Sequence, residues 1–60
     1  MDTKDKENLI KSGQTANLLV QDLRELMKSN DPLLSDMALE ILEQAAKIEQ
    51  RLKRIESITK

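Results

Sequence analysis

A chain of 60 residues with 38% hydrophobic and 35% charged content makes one small domain, which buries only about 60% of its unfolded surface. Cysteine and histidine are absent, which excludes disulfide staples and the usual soft or imidazole metal ligands; a formal net charge of -1 argues against bulk electrostatic coating of nucleic acid or anionic lipid. With no Trp, Tyr or Phe the core is aliphatic, and an all-α chain is favoured over a sheet.

The first residues, Met1-Asp2-Thr3-Lys4-Asp5-Lys6-Glu7, lack a signal peptide's apolar region, and no apolar run approaches the roughly 20 residues that span a bilayer. The expected location is cytoplasmic, with no membrane partner. Leu9, Ala16, Leu19, Leu23 and Leu26, flanked by Val20 and Met27, then repeat at helical spacing and predict a helix over about residues 4–28. Ser12-Gly13 interrupts this seam without shifting its phase, at a cost of about 1 kcal/mol for a glycine in a helix interior. The sequence leaves two readings open there: one helix, bent or straight, or a short helix ending near Lys11 with a second starting after Ser12. Ser12-Gly13-Gln14-Thr15 lacks the preceding strand and the Gly-Lys-Ser/Thr signature of a phosphate loop.

Residues 29–31 form the turn. Asp31 suits an N-cap, Pro32 suits the first helical position, and Pro32 also disfavours a helical Asp31, which ends the first helix. Beyond it Leu34, Ala38, Ile41, Ala45, Ile48, Leu52 and Ile55 alternate steps of four and three, a coiled-coil-like seam predicting a helix over about residues 32–58. Glu43 to Lys47 and Glu49 to Lys53 add acid-first pairs at i,i+4. So short a connection makes the helices antiparallel neighbours: a long helical hairpin forming one domain over residues 1–60.

Two helices cannot surround a core by themselves, and a core of this size rarely supplies more than about 3 to 5 kcal/mol. The second helix is apolar on most of its circumference between Leu33 and Ala46, the pattern of a helix covered on more than one side. The expectation is a homodimer forming a four-helix bundle, with Leu19, Leu23, Leu26, Leu34, Ala38, Ile41, Ala45, Ile48, Leu52 and Ile55 as the self-association seam. Charge gives it a direction. Folded as a hairpin, the open end gathers Lys4, Lys6, Lys11, Lys47, Arg51, Lys53, Arg54 and Lys60 against Asp2, Asp5, Glu7, Glu49 and Glu56, whereas the turn end holds Arg24 and Lys28 against Asp22, Glu25, Asp31, Asp36, Glu40 and Glu43. Turns at opposite ends then place positive against negative, so the dimer is expected to be antiparallel.

Chemistry is sparse. Without His or Cys the candidates reduce to carboxylates, lysines and hydroxyls, and Asp36, Glu40 and Glu43 read as a solvated acidic face, since the Glu-x-x-His motifs of di-metal bundles are missing. No catalytic, metal or cofactor-binding residue is assigned. Apolar residues off the seams, Leu18, Leu33, Leu39 and Ile58, are the candidate surface for another protein, Leu18 lying nearly opposite its helix's core stripe. Lys47, Arg51 and Arg54 on adjacent turns are a candidate basic patch for nucleic acid, with acids interleaved and no aromatic to stack on bases.

Two resemblances accompany these patterns. In outline, a dimerising hairpin of this length resembles the repressor-of-primer type of small RNA-binding plasmid regulator; this implies a nucleic-acid-binding function and carries no contact residue with it. The segment from Leu23 to Leu42, with Asp31-Pro32 at its turn and Ala38-Leu39-x-Ile41-Leu42 after it, is similar to a HEAT or armadillo-type repeat, which implies a protein-binding scaffold. A lone repeat cannot bury its face, however, and the heptad runs past the usual repeat length. The function expected from the sequence is a small non-enzymatic regulator, inhibitor or adaptor acting stoichiometrically on a larger protein; the alternative is a small nucleic-acid-binding regulator using the basic open end.

Overall fold

A computed structural model describes residues 2–59; Lys60, counted above with the open end, lies outside them. Helix α1, Thr3–Leu26, begins where Asp2 leaves the helical conformation and its Oδ1 accepts the Asp5 amide at 2.8 Å, the usual N-cap arrangement. It runs without a break through Gly13, and the Ser12 hydroxyl donates to the Asn8 carbonyl one turn back. Its end tightens into i→i+3 bonds, Lys28 N–H to Glu25 and Ser29 N–H to Leu26, a common way of satisfying terminal carbonyls. Helix α2, Pro32–Ile58, starts on Asp31, whose carboxylate accepts the Leu33 amide at 3.0 Å. Ser35 then reaches across the turn to donate to the Met27 carbonyl at 2.9 Å, tying the two helix ends together.

The helices pack antiparallel as an all-α hairpin, 45 × 14 × 10 Å across its Cα atoms. The packing row of α1 is Leu9, Gly13, Ala16, Val20, Leu23 and Met27; that of α2 is Ser35, Ala38, Leu42, Ala45, Glu49, Leu52 and Glu56. Every member is buried or half-buried, and both rows step by four and three as a helix seam requires. The buried apolar side chains among the described residues are Ala16, Val20, Leu23, Ala38 and Ala45, with Leu42 packed against Val20, Leu23 and Ala45. Three of those five are alanines. Small residues let the backbones approach closely, but each contributes little apolar area, so this core stabilises the hairpin weakly.

Gly13 belongs to this close contact. A Cβ built there would stand 3.3 Å from Glu56 Oε2, the far end of a flexible side chain that need give by only a few tenths of an ångström. Gly13→Ala is therefore expected to stabilise the hairpin by up to about 1 kcal/mol, the gain in helix propensity, read as a higher thermal midpoint by circular dichroism. Gly13→Leu pushes into the facing helix and is expected to lower it.

Candidate functional site

The hairpin is a slab with two chemically different faces. On one, Leu19 and Leu26 follow the buried Ala16 and Leu23 by three residues, while Leu34, Ile41, Ile48 and Ile55 recur every seven residues along the shoulder of the α2 packing row. All six are exposed, Ile48 by 52%. The shoulders of the two helices adjoin: Leu19, Ile48 and Leu52 line one shallow hollow with Ala16 and the polar Asn8, Lys11, Ser12 and Thr15, and Ile48, Leu52 and Ile55 line the next with Arg51. Met37, also exposed, borders the face near the turn.

The sequence seam thus divides. Leu23, Ala38 and Ala45 are buried between the helices and Leu52 is half-buried there; Leu19, Leu26, Leu34, Ile41, Ile48 and Ile55 lie outside, on one side. Periodicity alone did not separate the two rows, because both repeat every seven residues one position apart.

The opposite face is polar and is held by a chain of side chains. Gln21 Nε2 donates to Asn17 Oδ1 at 2.7 Å, Asn17 Nδ2 donates to Glu49 Oε2 at 2.7 Å, and Lys53 Nζ stands 3.4 Å from the same oxygen. Glu49 occupies a packing-row position with its side chain only 12% exposed. The Asn17 hydrogen bond, opposed by desolvation and aided by Lys53, holds its carboxyl below the usual glutamate value. No sequence signal marked this pair, since its members are 32 residues apart; the sign available was a glutamate continuing the row of Ala38, Leu42 and Ala45.

The other candidate residues are dispersed. Leu18, 58% exposed, flanks a hollow on the polar side with Gly13, Gln14 and Asn17; Leu39 is exposed on α2. Leu33 and Ile58, the latter 77% exposed, lie near opposite ends of α2, about 37 Å apart at 1.5 Å per residue. These four do not form one patch. Lys47 lies two residues from both Ala45 and Glu49, half a turn from the packing row, so with Arg54 it points away from α1, while Arg51 reaches the rim of the apolar face. Among the described residues no cluster of metal-binding type occurs, and no helix is long and apolar enough to cross a membrane.

No protein-family model, curated protein or solved structure matches the chain. The site is therefore read from its own chemistry: an apolar face without reactive groups, backed by a polar one.

Because the Glu49 pKa is lowered on folding, its contribution to stability is fully present above the ordinary glutamate value of 4.5 and is lost as pH falls through the lower folded value. Asn17→Ala removes the first donor. Thermal melts between about pH 7 and pH 3 should show a smaller acid-side loss in the variant, together with lower stability at neutral pH, and the Glu49 carboxyl resonance should titrate at higher pH.

Proposed function

We propose that this chain is a small non-enzymatic protein-interaction module: a homodimer that closes a four-helix bundle with its apolar face and acts stoichiometrically on a larger protein, as a regulator, inhibitor or adaptor. The observation that carries the reading is the face itself. Six exposed Leu and Ile side chains on one side of a two-helix slab exceed the scattered apolar residues of an ordinary monomer surface, and a contiguous patch of this kind marks an association site. The weak core supports it as well: three of the five buried apolar side chains are alanines, and chains of this size normally gain the missing stability from another subunit. Leu18, Leu33, Leu39 and Ile58 lie off this face and remain available to the larger partner.

Sedimentation equilibrium of the full chain, wild type against an Ile41→Asp, Ile48→Asp variant and against Leu18→Asp, tests the dimer. The wild type is expected to sediment as a dimer, the double variant as a monomer with reduced helicity, and Leu18→Asp as a dimer. A fully helical wild-type monomer, or a Leu18→Asp chain that no longer dimerises, would refute the assignment of faces. For the larger partner, a protein retained by the wild-type dimer and lost with Leu18→Asp, Leu39→Asp is the expected result; recovery of nucleic acid instead would favour the basic open end as the working surface.

A further inference from the structure

Resting on that dimer reading, we infer how the second copy sits: its turn lies at the opposite end, its α2 packs on α2 and its α1 on α1, and the two-fold axis passes level with the gap between Ile41 and Ile48. Two identical slabs bring the same face into contact only about a two-fold axis lying in the plane between them. If that axis runs along the helices, the turns come together and each α1 faces the partner's α2. If it runs across them, the turns separate and each helix meets its own counterpart. These are the two aligned arrangements.

The longer apolar row favours the second. Leu34, Ile41, Ile48 and Ile55 are evenly spaced, so the row reads the same in reverse. An antiparallel α2 pair centred between Ile41 and Ile48 sets Leu34 level with the partner's Ile55 and Ile41 level with the partner's Ile48, leaving no member of the row without an aliphatic counterpart. The row spans about 31 Å and two helices are about 20 Å wide, a projected face on the order of 600 Å², near the roughly 800 Å² per partner of a standard stable interface.

Charge points the same way. The turn end carries an excess of acids, with Asp36, Glu40 and Glu43 on α2, and the open end an excess of bases, with Lys47, Arg51 and Arg54. Opposed turns lay one on the other and bring Arg51, at the rim of the face, level with the partner's Ala38, one residue from the partner's Met37 and two from the partner's Glu40. Adjacent turns would stack acid on acid and base on base, which complementary interfaces avoid.

The chain has no cysteine, so a single spin label on Asn30→Cys, exposed in the turn, reports the arrangement directly. The expected turn-to-turn distance in the dimer is about 40 Å, twice the rise from the turn to the axis at 1.5 Å per residue. A distance under about 20 Å would overturn the orientation while keeping the dimer; a sedimentation mass of one chain would instead remove the dimer itself. The unlabelled wild type gives a second reading. Raising NaCl from about 0.05 M to about 0.5 M, which shortens the screening length well below the spacing of these charges, should weaken the dimer several-fold, and tighter association at high salt would overturn the proposal.

Discussion

The close approach of two backbones at Gly13, Ala16, Ala38 and Ala45 decides most of what this molecule looks like. Side chains this small, alternating with Leu9, Val20, Leu23, Leu42 and Leu52 in the packing rows, bring the helices together and leave no room there for the remaining leucines and the isoleucines. The larger aliphatics are therefore displaced to the shoulders, where Leu19, Leu26, Leu34, Ile41, Ile48 and Ile55 sit exposed. A tight hairpin and an uncovered apolar face are one consequence, not two. Had Gly13, Ala16, Ala38 and Ala45 been leucines as well, the helices would stand further apart and more of the apolar surface would be consumed internally.

The displacement is one-sided because the other shoulder is occupied by Gln21, Asn17, Glu49 and Lys53, which satisfy one another. Burying that shoulder would strip water from a carboxylate and an ammonium whose pairing at a partly exposed site is worth little. The apolar shoulder has no such cost. The slab consequently has one side dominated by exposed aliphatics and one on which Ile10 and Leu18 are exposed beside a polar network, an amphipathicity belonging to the pair of helices jointly.

Much of the fold was legible locally. Asp31-Pro32 is capping chemistry within four residues, and the hairpin follows from a short turn between two periodic segments. The continuity of α1 through Gly13 was not legible, because the glycine is buried in the contact with α2, close to Glu56, a residue 43 positions further on. Nor was the division between the inner and outer rows. Val20 is 3% exposed and its neighbour Leu19 48%, yet both are aliphatic and both fit a seven-residue repeat, so hydropathy alone cannot choose between them. The choice is made by Gly13 and Glu49: a pattern search treats them as gaps in an apolar stripe, whereas in the structure they are members of the packing rows.

Glu49 has one more effect, on which alternative pairings the chain avoids. Sliding α2 along α1 by a heptad would again match alanine to valine and leucine, so apolar packing by itself discriminates poorly between the native alignment and its slipped relatives. Asn17 and Glu49 are within 2.7 Å in only one of them. In a slip that carries Glu49 toward Ile10 the glutamate enters the helix contact without its donor, and a carboxylate desolvated without a partner is costly. A single polar pair in an otherwise repetitive interface thus acts as an index mark, fixing how far along each other the two helices sit and hence which residues share the turn end.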